Sequence, residues 1–252
     1  MTTDRLCGCT GIRSCLLCEE GRRDGRSVGT SCSKRYVYAG NKSRDELNLD
    51  GIAIFDDFVD EDAERAIVAE IDDNEWKESQ SGRRKQDFGP RPNFKKRKIK
   101  IGSFSGLPPF SKSLVERMWK MPLLASFVPV ELCNLEYLPT RGSSIDPHID
   151  DEWLWGERLV TLNLLSDTYL TFTRDDGAET VEILVKLPRR SLVIVSDKAR
   201  HDWLHAIRRE HIRERRIAVT LRELSDKFAD DEREMTTLLK DLALTFRGKC
   251  SS

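Results

Sequence analysis

Two residues of metal-ligand type stand two positions apart at His148-Ile149-Asp150. On a strand, residues i and i+2 point to the same face, so both side chains reach one ion. A lone His-x-Asp says little, because a hydrogen-bonded surface pair has the same sequence. A second histidine, His205, follows in the apolar run Trp203-Leu204-His205-Ala206-Ile207. Two histidines and one carboxylate on one face of a metal leave three positions open, the arrangement of non-haem iron oxygenases. The chain has four histidines, and His201 and His211 are rival third ligands. His205 is preferred because its apolar neighbours bury it, whereas the other two sit beside charged residues.

A second constellation is Arg216-Ile217-Ala218-Val219-Thr220-Leu221-Arg222. Six is an even spacing, so a strand puts both arginines on one face and Ile217, Val219 and Leu221 on the other. Two guanidinium groups pointing into a barrel are costly unless they meet anions. A dicarboxylate supplies such anions, and arginine binds carboxylate in bidentate fashion. The competing reading is an edge strand with its arginines in water.

Two further clusters carry chemistry. Residues 81–100 interleave nine Lys and Arg residues with Phe88, Phe94, Gly89, Pro90 and Pro92. This reads as a basic, loop-like lid, suited to phosphates or to an acidic protein. Near the start, Cys7, Cys9, Cys15 and Cys18 form C-x-C-x5-C-x2-C. Four thiolates at short spacing can close a tetrahedral zinc site, or remain reduced on a tail.

The elements that must position these groups follow from periodicity. Residues 1–50 read as a Cys-rich appendage and linker, with a short strand around Tyr36-Val37-Tyr38. A folded domain is expected over 51–252. Ile52 to Phe55 reads as a strand, and Asp60 can cap the helix whose stripe is Ala63, Ala66, Ile67 and Ile71. A short helix is expected over 111–119. From Val130 onward short strands are expected at 131–138, 144–150, 158–165, 168–173, 180–186, 191–195, 204–207 and 215–222. A helix is expected at about 230–246. Eight short strands with flanking helices predict a mainly β chain with a jelly-roll core.

Composition narrows the class. Hydrophobic residues make up 38% of 252, enough for one sizeable core, and 34% are charged. The formal net charge is −1, so any attraction to nucleic acid must come from a local patch. No apolar run is long enough to span a membrane, and the polar start lacks a secretory pattern. The expectation is an intracellular monomer of cytoplasm and nucleus, with no membrane association.

In their order and distances, His148-x-Asp150, Trp203-Leu204-His205-Ala206-Ile207 and Arg216-x5-Arg222 resemble the AlkB family of iron(II)/2-oxoglutarate dioxygenases. That resemblance runs from about Gly51 to Leu224. Three stretches resemble its AlkB homologue four branch: the amino-terminal cysteines, Ser79-Gln80-Ser81-Gly82-Arg83-Arg84-Lys85-Gln86-Asp87, and Trp153-Leu154-Trp155-Gly156-Glu157-Arg158-Leu159-Val160. It implies a double-stranded β-helix, with Fe(II) on His148, Asp150 and His205. It implies 2-oxoglutarate as cosubstrate, its distal carboxylate on Arg216 with help from Tyr137, and Arg222 nearer the iron. It implies oxidative removal of N-methyl groups from lysine on actin or from N6-methyladenine in DNA. Glu152, Phe88 and Arg84 are then candidate substrate contacts. Trp153 and Trp155 could wall a methyl-lysine cation, although core packing suits them equally. Two departures touch the cosubstrate site. Asn134 is out of phase with the family's Asn-x-Tyr, and Ala218 stands where relatives carry asparagine. A catalytically idle adaptor of the same fold is the alternative, and so is a zinc hydrolase, in which the arginine pair has no task.

Overall fold

Apolar residues on both faces of single strands build this fold. In β14 (Arg216–Leu224), Ile217, Val219 and Leu221 point to one side and Arg216, Ala218 and Thr220 to the other, all of them buried. A sheet buried on both faces needs a cover on each, and the chain supplies helices on one side and a second sheet on the other. The structure is a computed structural model and describes residues 34–38, 49–175, 177 and 180–250. The expected zinc ligands Cys7, Cys9, Cys15 and Cys18 lie outside the described residues, as does most of the expected appendage.

The larger sheet runs in the order β2 (Ile52–Phe55), β12 (Leu192–Val195), β9 (Trp155–Leu164), β14, β7 (Glu131–Tyr137), β4 (Arg84–Phe88) and β3 (Lys77–Glu78). The smaller runs β1 (Lys34–Tyr38), β11 (Thr180–Leu187), β10 (Thr168–Asp175), β13 (Leu204–Ile207) and β8 (Ile145–His148). Pairing is antiparallel throughout except for β1 on β11. A separate hairpin joins β5 (Arg91–Asn93) to β6 (Lys98–Lys100).

Two apolar cores result. Val160, Leu162 and Leu164 of β9 meet α1 (Glu61–Asp72), α2 (Ser111–Met118) and α5 (Arg233–Ala243) through Ile67, Ile71, Val115, Met118 and Leu239. Between the sheets, Leu159, Val193, Val195 and Ala218 face Leu170, Phe172, Ile183 and Val185. The four residues of β12 alternate between these cores and are all buried. Asp60 accepts the Ala63 amide at 2.8 Å, the cap expected for α1.

Four expectations need correction. The folded domain does not begin at 51, because β1, inside the expected appendage, is an edge strand of the smaller sheet and Leu49 is buried in the core between the sheets. The segment Arg84–Phe88 is a strand of the larger sheet, not part of a loop, with Arg84 opposite Glu136 and Phe88 opposite Leu132. Its polar residues conceal a strand because their partners are buried polar groups. Gln86 accepts from the Asn134 amide at 2.9 Å and donates to the Ile71 and Asn74 carbonyls. The expected carboxy-terminal helix is two helices, α4 (Asp226–Asp231) and α5, broken at Glu232 where the backbone leaves the helical region. Finally, β8 ends at His148, so Asp150 lies beyond the strand and strand alternation does not position it. The short α3 (Asp197–His201) had no signal in the sequence.

Candidate active site

His148 and His205 face each other across the β8–β13 pair, in register, with rings 4.4 Å apart. The His148 Nε2 lies 3.4 Å from Asp150 Oδ1. One potential ligand atom from each of His148, Asp150 and His205 falls within 4.8 Å of the others. The rival histidines are elsewhere. His201 sits between Glu152 and Glu157, at 2.7 and 2.9 Å, and His211 packs on Tyr169 with rings 5.1 Å apart.

The charges around the triad prepare it for a cation. The His148 Nδ1 lies 2.8 Å from the Asp146 carbonyl, which calls for a proton on Nδ1 and leaves Nε2 free to ligate. Burial, reinforced by His148, pushes His205 down to about 3, so its imidazole is neutral. Its Nδ1 is buried without a hydrogen-bond partner. Burial alone would raise Asp150. The Arg222 guanidinium, with His148 and His205, overcomes this and holds the carboxyl well below the usual range. A neutral His205 imidazole and an ionised Asp150 carboxylate are the forms in which those groups ligate a divalent metal, and the unpartnered His205 nitrogen gives the site an independent reason to take one.

With strand alternation excluded, Asp150 is positioned by two arginines. Arg222 donates from Nε to Asp150 Oδ2 at 2.8 Å and from Nη1 to Glu131 at 2.6 Å, which leaves Asp150 Oδ1 toward His148. Arg200 is fully buried on α3 and donates to the Asp150 carbonyl at 3.0 Å. It also reaches the Asp151, Trp155 and Gly156 carbonyls at 3.4 Å, tying down the turn after β8.

Arg216 is the opposite case. It is buried in the middle of the sheet, so the edge-strand reading does not hold. Its Nε donates to Asn163 Oδ1 at 2.5 Å, and its guanidinium carbon lies 4.9 Å from the centre of the Tyr137 ring. Nη1 is buried with no partner, and no carboxylate of the described residues pairs with it. Burial opposes its charge and Tyr137 supports it. One cavity of about 610 Å³, counted to its open mouth, is lined by the triad, Arg216, Arg222 and Tyr137. An orphaned guanidinium deep in a cavity that has a metal-type triad in its wall fits a small anion that also reaches the metal.

Asn134 points to the helix side of its strand, toward Gln86, and Leu135 lines the cavity instead. Asn163, which the sequence reading did not single out, takes over as the amide beside Arg216. Its signal was available: Val160, Leu162 and Leu164 define the apolar face of β9, so Thr161 and Asn163 had to face the second sheet, where Thr161 lines the cavity. Arg200 had no signal, because Lys198-Ala199-Arg200-His201 looks like a solvated charge run.

The candidate substrate contacts divide. Phe88 is 1% exposed and packs in the helix-side core, so it cannot stack on a substrate base. Arg84 is engaged by the buried Glu136 and lies over the Trp76 ring. Glu152 is exposed and held by His201. Trp155 is buried and Trp153 meets Phe228 edge-on at 5.6 Å, so core packing accounts for both. Of the expected lid, only the β5–β6 hairpin is exposed, with Phe94 at 44% beside Lys95, Lys96, Arg97 and Lys98.

No protein-family profile matches the chain. It is 42% identical to the alpha-ketoglutarate-dependent dioxygenase alkB homolog 4 of Homo sapiens, across 97% of this chain and 95% of that protein. It is 34% identical to a DNA N6-methyl adenine demethylase of Caenorhabditis elegans, across 91% and 90%. Among solved structures it resembles OsALKBH1, with a TM-score of 0.50 and 12% identity over 69% of this chain and 98% of that one. A 2OG-Fe(II) oxygenase family oxidoreductase from Burkholderia pseudomallei gives a TM-score of 0.51 and 11% identity, over 77% and 98%. Those two structures establish the double-stranded β-helix fold alone.

Proposed function

This chain belongs to the alkB homolog 4 family of iron(II)- and 2-oxoglutarate-dependent dioxygenases, and on that premise we propose that it removes N-methyl groups from methylated lysine on an acidic, actin-like protein. The observation that carries the enzymatic reading is the single cavity that joins the His148, Asp150 and His205 triad to the unpaired Arg216. An idle adaptor has no use for a buried, uncompensated guanidinium, which costs stability unless an anion meets it.

Iron(II) with 2-oxoglutarate and dioxygen supplies the oxidising power, giving succinate, carbon dioxide and, from the N-methyl group, formaldehyde. The chain's own residues orient and protect. Arg216, steadied by Asn163 and Tyr137, holds the distal carboxylate of the cosubstrate. Each charge-assisted bond there contributes on the order of 1.5–3 kcal/mol. Arg222 fixes the rotation of the Asp150 carboxylate through Oδ2, and Arg200 fixes the backbone that carries it. Leu135, Leu159, Leu170 and Val193 line the same cavity and keep water from the groups between them.

A cationic substrate is supported by Glu152, an exposed carboxylate two positions after the ligand Asp150 and shared with His201. Against a base, Phe88, the residue expected to stack on one, is in the core. A second reading, demethylation of adenine N6 in DNA, is favoured by the nematode relative's name and by the exposed basic hairpin with Phe94 at its tip.

Formaldehyde release decides between them. Purified protein with iron(II), 2-oxoglutarate and ascorbate is given either a monomethyl-lysine peptide with acidic flanks or an N6-methyladenine oligonucleotide. Release from the peptide alone supports the lysine reading. Release from the oligonucleotide alone replaces it with the adenine reading, and release from neither refutes N-demethylation of both classes.

A further inference from the structure

His201 stands outside the metal triad, yet both of its ring nitrogens are engaged. Nδ1 lies 2.7 Å from Glu152 Oε1, and Nε2 lies 2.9 Å from Glu157 Oε2. An ionised carboxylate only accepts, so the ring donates from both nitrogens and is an imidazolium. Burial works against that charge, and the bonds to Glu152 and Glu157 outweigh it, raising His201 above its usual value despite Arg200 beside it. The three groups come from three elements. Glu152 sits in the turn between β8 and β9, two positions after the ligand Asp150. His201 ends α3, and Glu157 belongs to β9. Glu157 also accepts the Asp197 amide at the start of α3. Glu157 therefore fixes both the helix and the ring, and the ring fixes Glu152.

This strut does little for the backbone. Arg200 already ties the turn through the Asp150, Asp151, Trp155 and Gly156 carbonyls, and Asp151 Oδ1 accepts the Leu154 amide at 3.1 Å. It does little for stability either, because Glu152, His201 and Glu157 are all exposed, and exposed ion pairs contribute little. What remains is the orientation of one carboxylate. His201 occupies Glu152 Oε1, and among the described residues nothing hydrogen-bonds Oε2. The same device holds Asp150, where Arg222 takes Oδ2 and leaves Oδ1 toward His148. Two carboxylates and one imidazolium also leave the strut with one net negative charge, which a single methylammonium balances.

We infer that His201 is a positioning residue for the substrate, holding Glu152 by one oxygen so that the other meets the methylammonium of the lysine. The inference rests on the lysine reading above. The imidazolium reduces the negative charge beside the substrate cation. Solvent screens that loss at these exposed positions, whereas a Glu152 side chain without its partner must be ordered anew each time substrate binds. His201 acts on substrate binding alone and leaves the metal ligands and the Arg216 end of the cavity untouched.

The test is calorimetric titration of the full-length protein, loaded with Mn(II) and 2-oxoglutarate under nitrogen, with two acidic-flanked peptides. One carries monomethyl-lysine, and in the other an uncharged alkyl chain of the same length replaces it. The wild type is expected to prefer the charged peptide. His201→Leu should weaken that peptide by about 3- to 10-fold and leave the uncharged peptide, Mn(II) and 2-oxoglutarate as they were. Unchanged or tighter binding of the charged peptide overturns the proposal. An equal loss for both peptides, or a loss of metal or cosubstrate affinity, also overturns it and makes His201 a structural brace. If His201→Leu does not fold, His201→Gln, whose single amide reaches one carboxylate, is read alone: a loss confined to the charged peptide supports the role, and any other pattern overturns it. The two assignments fail separately. A wild type with no preference for the charged peptide refutes the lysine reading and this proposal with it, whereas a preference that survives His201→Leu refutes this proposal alone.

Discussion

Arg216 and Arg222 leave the same face of one strand, six positions apart, and line the same cavity, yet their electrostatic situations are opposite. Arg222 is enclosed by two carboxylates, Asp150 and Glu131, and its charge is reinforced well beyond the ordinary arginine value despite burial. Arg216 has an amide and an aromatic ring beside it, an idle Nη1, and burial working against its charge. Identical side chains thus divide the labour. The paired arginine holds a ligand residue still, and the unpaired one waits for an anion from outside. A buried charge that the protein itself leaves unmatched is the better indicator of a binding group, because folding alone gives no reason to keep it.

The largest expected effect is on stability without metal. Arg222→Met leaves Asp150 and Glu131 as unpaired buried carboxylates and should cost about 3–5 kcal/mol. Arg216→Met removes a charge that lacks a counter-ion and should change stability by less than about 1 kcal/mol in either direction. Urea unfolding of the two apo variants measures both, and equal losses would break the contrast. Next in size, Arg216→Met should weaken 2-oxoglutarate binding by about 1.5–3 kcal/mol while Mn(II) affinity is retained. Arg222→Met should lower metal affinity by roughly 10–100-fold, as loss of a group that orients a ligand does. Calorimetry with each component in turn separates these results.

A pH dependence sharpens the picture of the metal end. His205 has a folded-state value of about 3, depressed from the usual value near 6.5. Between those values the unfolded chain binds a proton that the folded chain does not. Stability of the apo protein should therefore fall as pH drops from 6.5 toward 3, by up to about 1.4 kcal/mol per pH unit from this group. His205→Gln should flatten that part of the unfolding profile, and an unchanged slope would contradict a buried neutral imidazole. The smallest effect belongs to the hairpin. Replacing Lys95, Lys96, Arg97 and Lys98 by alanine should leave stability within about 0.5 kcal/mol and cosubstrate binding intact. It should reduce the salt dependence of substrate binding, measured by titration at two ionic strengths.

What the sequence disclosed and what it concealed follow from the same rule. Strands with an apolar alternation, such as β9 and β14, could be read directly, and their polar faces pointed inward as the Arg216-x5-Arg222 spacing requires. The strand Arg84–Phe88 was concealed because its burial is matched by polar partners, Glu136 for Arg84 and Asn134 for Gln86, and no local pattern announces partners so far away in the chain. The His148-x-Asp150 spacing identified ligand types, yet the geometry of Asp150 comes from Arg222 and Arg200, distant residues that periodicity does not link to it. Phe88, aromatic within a basic run, looked like a surface group until the β4–β7 pairing turned it into the core.

The central claim is that His148, Asp150, His205 and Arg216 form one working dioxygenase cavity. Succinate formation from 2-oxoglutarate tests it most directly, with purified full-length protein, iron(II) and ascorbate, alongside His148→Ala and Arg216→Ala. The account predicts turnover by the wild type and none above background in His148→Ala. It also predicts activity in Arg216→Ala that returns only at much higher 2-oxoglutarate. Succinate formation that survives His148→Ala, or a wild type that binds neither iron nor 2-oxoglutarate, would contradict it.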